Sequence, residues 1–218
     1  MARQFTRSNS DWLTANPNVI ADEPLTMACW FKASINTDRL ALVAIGDLST
    51  TNGFWELSAD GARASDPIAA YTRAPGGTSQ ALSTTGFTVG KWHHAGGIWR
   101  ANDNRSAYID GGSRGNETTA RAAAISDDTC IGRSALSSDS NGMDGAIAEI
   151  GIWNIDLSDA EMAILAKGYS PLLIRPNNLV FYIPLIRDDD FDLIGGVSFT
   201  ANGTPSIVHH SRIFNPRK

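Results

Sequence analysis

In Leu25-Thr26-Met27-Ala28-Cys29-Trp30-Phe31-Lys32 the residues divide with a period of two, Leu25, Met27, Cys29 and Phe31 on one face and Thr26, Ala28, Trp30 and Lys32 on the other. A stretch with that period buries one clean face as a β-strand, because a helix would scatter the same residues around its axis. Short runs of apolar and β-branched residues recur at 39–46, 54–58, 68–73, 81–85, 92–100, 106–109, 129–132 and 179–183, with shorter ones at 197–200 and 207–209. Gly86, Gly90, Gly111 and Gly112 stand between them as turn residues. No segment between the runs is long and periodic enough for a crossover helix, so the strands are expected to pair antiparallel in an all-β fold.

One helix is expected near residues 158–167. Ser158 is a natural N-cap, Glu161 follows at capping-box spacing, and Leu157 and Met162 can form a hydrophobic staple. Met162, Leu165 and Ala166 give an apolar stripe, Gly168 suits the position after the C-cap and Pro171 prevents resumption, which predicts about three turns.

With 218 residues, 42% hydrophobic and 19% charged, the chain can bury one core without a staple. Residues 1–204 are expected to form that single domain and 205–218 an irregular C-terminal tail with a basic end, Arg212 to Lys218. A formal net charge of −5 argues against a phosphate-neutralising surface, so nucleic acid is not an expected partner. The start, Met1 to Arg7, lacks the apolar stretch of a signal peptide, and no apolar run approaches the roughly 18 residues of a membrane span. Cys29 and Cys130 each sit in an expected strand and are read as reduced core residues, with a disulfide open only if those strands are neighbours.

The order of the elements carries a resemblance. Gly90-Lys91-Trp92-His93-His94-Ala95 resembles the G-x-W-H-H-hydrophobic strand of laminin-G-like and pentraxin-like domains, and Ala107-Tyr108-Ile109-Asp110-Gly111 resembles their next hairpin. Cys130-Ile131-Gly132 is similar to the strand that follows. Gly145 to Met162 resembles the family's strand-to-helix signature, G-x-I-D-E-V-x-I-W/Y-N-x-x-L-S-x-x-E-I. The resemblance spans roughly residues 6–203 and places the chain with the laminin-G-like group of the concanavalin A-like lectin/glucanase superfamily. It implies a two-sheet antiparallel jelly roll in which Trp30, Trp92 and Trp153 pack against core or sheet face. Asp110-Gly111 is read as a type I′ turn pair on its own chemistry.

The motifs of catalysis are missing from this pattern. Glucanases on this fold carry paired carboxylates on one strand, in an E-x-D-x-x-E or E-x-D-x-E pattern, whereas Glu149 has Ile147 and Gly151 two residues away. No catalytic residue is therefore assigned, and no cofactor-binding residue. His93-His94 and His209-His210 are poor metal pairs, because adjacent strand residues point to opposite faces. Calcium is left open: Asp188-Asp189-Asp190-Phe191-Asp192 lacks the glycine and glutamate of an EF-hand loop and is read as a solvated turn, while Asp144, Asp47 and Asp60 are conceivable ligands. Ala148 stands where family members often carry an aspartate. Trp12, Trp55, Tyr71 and Trp99 could stack on a sugar but are read as core residues.

Composition and resemblance together suggest a non-enzymatic virion structural protein of a tailed bacteriophage, a capsid decoration or a tail or fibre component. Its expected partners are the major capsid protein or tail proteins and further copies of itself, in a particle assembled in the host cytoplasm. The alternative is a carbohydrate-binding lectin for a cell-surface glycan. A glycan hydrolase or lyase ranks third.

Overall fold

A computed structural model describes residues 1–16, 19–123, 127–138, 141–186, 190–210 and 213. In chain order its strands are β1 (Ala2–Phe5), β2 (Trp12–Ala15), β3 (Leu25–Ala33), β4 (Arg39–Gly46), β5 (Phe54–Asp60), β6 (Pro67–Ala74), β7 (Gly77–Gly86), β8 (His93–Ala101), β9 (Asn104–Ile109), β10 (Gly112–Glu117), β11 (Asp128–Ile131), β12 (Gly145–Trp153), β13 (Leu179–Ile183), β14 (Thr200–Asn202) and β15 (Ser206–Val208). The helix α1 (Asp159–Leu165) lies between β12 and β13. The first sheet runs β10-β9-β8-β3-β12-β1-β15 with β13 also on β12, and the second runs β14-β2-β11-β4-β5-β6-β7. Every pairing among the named strands is antiparallel, so the expected two-sheet sandwich forms.

The alternation read from the sequence is the packing of the core. Leu25, Met27, Cys29 and Phe31 of β3 are fully buried and meet Trp55, Leu57 and Ala59 of β5 between the sheets. Two one-residue bulges keep other strands in phase with that core. Leu42 and Val43 of β4 are consecutive yet both internal, because the register slips between Ala41 and Val43. In β12 Ile147 and Ile150 are three apart and both internal, because the register slips between Ala148 and Gly151, and Glu149 takes a left-handed φ of 55°.

The helix covers the outer side of the first sheet. Met162 and Leu165 join Leu157, Trp153 and Tyr108 in a second apolar cluster. The Ser158 hydroxyl accepts from the Glu161 N–H and the Glu161 carboxylate accepts from the Ser158 N–H, so the expected capping box is present. α1 has seven residues, two turns where three were expected, because Lys167 and Gly168 donate to Ile164 and Leu165 in a tightened final turn and Gly168 turns away at a φ of 88°. Asp110 and Gly111 have φ values of 51° and 72° and form the expected two-residue turn between β9 and β10.

The first and last segments of the chain run side by side. β1 pairs with β15 in the first sheet, and β2 pairs with β14 in the second. Asp11, almost fully buried, joins the two crossings, accepting from the Thr6 N–H at 3.0 Å and the Thr204 N–H at 2.8 Å. The tail expected beyond residue 204 is thus not wholly irregular: Ser206–Val208 covers the edge that β1 would otherwise expose. Of the basic end, Arg212 and residues 214–218 lie outside the described residues. Short β1, β2 and β10 were not expected. Cys29 and Cys130 are both buried, one in each sheet, and burial pushes the Cys29 thiol up.

The opposite edge closes by backbone contact between β7 and β10. A Cβ at Gly115 would lie 1.6 Å from the Leu82 carbonyl oxygen. Gly115→Val should therefore lower the thermal midpoint far more than Ser158→Ala, which removes one cap and should cost about 1 kcal/mol in urea denaturation. Equal effects would show that β7 and β10 can part without cost.

Candidate functional site

β5 points Trp55, Leu57 and Ala59 inward, so Glu56, Ser58 and Asp60 line its outer face. The register sets Arg39 of β4 opposite Asp60, Tyr71 of β6 opposite Glu56, and Gln80 of β7 opposite Tyr71. Small residues, Ala41 and Ala69, flank Ser58 and keep the sheet surface low. The chain after β11 crosses beside this trough, and the Asn141 carbonyl accepts from the Ala41 N–H at 2.9 Å. The result is a groove of about 510 Å³ whose polar groups include Arg39, Asp60, Arg63, Thr78, Gln80 and Asn141. That volume falls within the ~300–1,000 Å³ range of small-ligand clefts.

Its charges are arranged in pairs. Arg39 Nε stands 3.4 Å from the fully buried Glu56 carboxylate, and its guanidinium lies 4.4 Å from the centre of the Tyr71 ring. Burial opposes the Arg39 charge, but Glu56, Tyr71 and Asp60 outweigh it and hold the guanidinium more firmly protonated than usual. Arg63 Nε donates to Asp60 Oδ2 at 3.0 Å. Asp38, at the rim, pairs with Arg7 at 2.9 Å. The Ser58 hydroxyl is buried and has no hydrogen-bond partner among the described residues. Planar donors and acceptors side by side can bind hydroxyl-rich molecules, because a hydroxyl both donates and accepts.

None of the four aromatic residues considered for stacking presents an open ring. Trp55 and Trp99 face the core, their indole N–H groups donating to Glu23 Oε1 and Thr72 Oγ1. Tyr71 is 7% exposed, stacked on Phe54 and covered by Arg39. Trp12 is half-buried beneath Arg133, 4.8 Å away. Trp153 is fully buried, and Trp30 and Trp92 pack half-buried on the first sheet with Ala146 and Ala148.

The conceivable calcium ligands separate. Asp47 joins Asp127 and Asp128 with carboxylate oxygens within 4.8 Å of one another, a set able to hold a cation. Desolvation and repulsion from Asp128 and Asp47 raise Asp127, while hydrogen bonds from Ser49 lower Asp47. Asp60 belongs to the groove, and the Asp144 carbonyl accepts from the Ser34 N–H. The expected solvated turn is corrected at Asp190 and Asp192, both buried: Asp190 pairs with Arg3 at 2.6 Å, and Asp192 accepts from the N–H groups of Tyr182, Ile194 and Gly195. Asp188 and Asp189 lie outside the described residues. The neighbouring histidines divide as adjacent strand residues should: His93 bonds Asp110 at 2.8 Å, while buried His94 packs edge-on to Trp30 and is pushed down to about 4 by burial. His209 is exposed and His210 is buried against Trp92.

Glu149 sits at the β12 bulge, away from the groove and 6% exposed. Burial raises its carboxyl to about 7, offset in part by the Tyr182 hydroxyl, which donates to Oε2 at 2.6 Å. It is a carboxyl held inside packing, without a partner acid at 147 or 151.

Residues 7–163 match the family described as the concanavalin A-like lectin/glucanases superfamily, in its laminin-G-like branch. Among solved structures, the chain is similar to a putative carbohydrate binding protein from Bacteroides ovatus, with a TM-score of 0.64 and 13% identity over 96% of this chain and 60% of that one. It is also similar to the heptameric SAP-like pentraxin of Limulus polyphemus, with a TM-score of 0.60 and 12% identity over 91% and 89% of the two chains. A third is domain 4 of the arabinanase AbnA from Geobacillus stearothermophilus, in complex with arabinotriose, with a TM-score of 0.56 and 16% identity over 69% and 70%. At these identities the likeness shows the fold. No curated protein matches the sequence.

The two displaced groups give opposite pH dependences. Glu149 is raised above its ordinary 4.5, so its contribution is complete below that value and is lost as pH rises through about 7, roughly 3 kcal/mol in all. His94 is lowered from 6.5, so stability is lost as pH falls from there towards about 4. Glu149→Gln should remove most of the decline between pH 5 and pH 8 in a urea-midpoint series. An unchanged slope would show that the carboxyl is solvated.

Proposed function

We propose, since the chain belongs to the laminin-G-like branch of the concanavalin A-like lectin/glucanases superfamily, that it is a non-catalytic carbohydrate-binding module whose ligand lies in the groove on the outer face of the second sheet. The observation that carries this reading is the row of paired ionic and amide groups from Arg39 to Gln80 along one groove. The carbohydrate-binding protein and the arabinotriose-bound domain among the similar folds support it. Within the groove Glu56 is fully buried and Asp60 is held by Arg63, which favours binding over hydrolysis, because retaining and inverting hydrolysis both need two carboxyl groups able to reach the scissile bond.

The virion role drawn from the resemblance has no comparable support. Capsid or tail partners, self-association and residence in a phage particle stay proposals, decided by whether the chain copurifies with particles at high copy number.

A glycan array probed with the purified chain should give a defined set of bound sugars, and Thr78→Ala with Gln80→Ala should reduce binding by at least about tenfold, or ~1.4 kcal/mol, with the thermal midpoint preserved. Mixed polysaccharides incubated with the chain should release no new reducing ends. Uniform absence of binding would refute the module.

A further inference from the structure

We infer that the groove selects neutral sugars, read by the edges of their hydroxyl groups, over sugars that carry a carboxylate or sulfate. This rests on the carbohydrate-binding reading above and names the ligand class for the same groove.

Charge is the first ground. Asp38 and Asp60 line the groove with two guanidinium groups, Arg39 and Arg63, and each of the four is already paired: Asp38 with Arg7 at 2.9 Å, Asp60 with Arg63 at 3.0 Å, and Arg39 with the buried Glu56 beneath it at 3.4 Å. An acidic ligand would have to compete with Glu56 or Asp60 for its cation and then lie beside the carboxylates of Asp38 and Asp60. Separating a charge from its partner in a shielded site leaves that charge uncompensated, a cost the new contact must first repay. Glu56 is fully buried and cannot turn away into water to make room. A sugar hydroxyl needs no displacement. It can donate to a carboxylate lone pair of Asp60 while accepting from the adjacent Arg63 guanidinium, so that ion pair offers an acceptor and a donor side by side to neighbouring hydroxyls of one ring, and Arg39 adds a further donor.

The ring surfaces give an independent ground. Stacking on the apolar face of a pyranose requires an exposed aromatic platform, and Tyr71, the aromatic residue of the groove, is 7% exposed beneath Arg39 and beside Phe54. What remains accessible is polar: Thr78, Gln80 and Asn141 complete the wall. Recognition through hydrogen bonds alone makes each hydroxyl count, because a deoxy sugar leaves a desolvated groove atom without its partner.

The test compares pairs of glycans that share a skeleton, one neutral and one acidic, by calorimetry on the full chain: lactose with 3′-sialyllactose, galactan oligomers with oligogalacturonate, xylan oligomers with glucuronoxylan oligomers. In the bound pairs the neutral member should bind at least about tenfold more tightly, with little change from low to high ionic strength. Deoxygenation of a contacting hydroxyl should abolish the signal. Gln80→Ala, on an edge strand outside the ion pairs, should weaken neutral-sugar binding without lowering the thermal midpoint. Tighter binding of the acidic members, with loss at high salt, would overturn the neutral selection and leave the module standing. Binding untouched by Gln80→Ala and Arg63→Ala would overturn the groove as the place of selection. No binding to either member of any pair would overturn the carbohydrate reading itself.

Discussion

The contact between β3 and β5 across the sandwich sets the phase of the surrounding structure. Met27, Cys29 and Phe31 from one sheet and Trp55 and Leu57 from the other form part of a single buried cluster, and a strand that commits alternate residues to it has no choice about the rest. Glu56, Ser58 and Asp60 are outward for that reason alone. A one-residue slip of β5 would turn three polar side chains into the apolar core and a tryptophan out of it, so the hydrophobic core and the polar groove enforce the same register. The bulges at Leu42 and Glu149 serve the same constraint by absorbing the extra residue where the apolar spacing departs from two.

Burying charge next to that core is costly, and the molecule offsets the cost by proximity. Arg39 lies against Glu56 and Tyr71 together, Arg3 meets Asp190 inside the opposite face, and Asp192 gathers three backbone N–H groups. Each arrangement holds a carboxylate that solvent no longer stabilises. Glu149 has the Tyr182 hydroxyl and the charge of the Met1 amino group, too little to offset its burial, and its carboxyl is displaced to about 7. The difference follows from position: β12 is interior to its sheet and supplies no arginine of its own at the bulge, while the groove draws arginines from β4 and from the turn after β5.

What the sequence disclosed was local. The strands at 39–46 and 179–183 have the expected bounds, and the capping box and the Asp110-Gly111 turn are formed by residues close in the chain. β1, β2 and β10 were illegible because each is short and earns its place by pairing with a distant partner; Gly112-Ser113-Arg114-Gly115-Asn116-Glu117 has no strand pattern of its own. The groove was half legible. Glu56, Ser58 and Asp60 repeat at period two within an apolar strand, and Tyr71 and Asp60 had been singled out separately, but Arg39, Arg63, Gln80 and Asn141 come together only through the register of four strands and a crossing loop. The aspartates at 190 and 192 looked solvated because their partners, Arg3 and the backbone of residues 182–195, are remote or invisible in a linear reading.

The pairing of β1 with β15 sets Ala2 beside Val208, in strands that run in opposite directions. Ala2 and Val208 therefore lie at one corner of the sandwich, separated by little more than the width of a strand pair, about 5 Å. Tension applied between them opens the ladder one rung at a time, like a zipper, instead of shearing all its hydrogen bonds together.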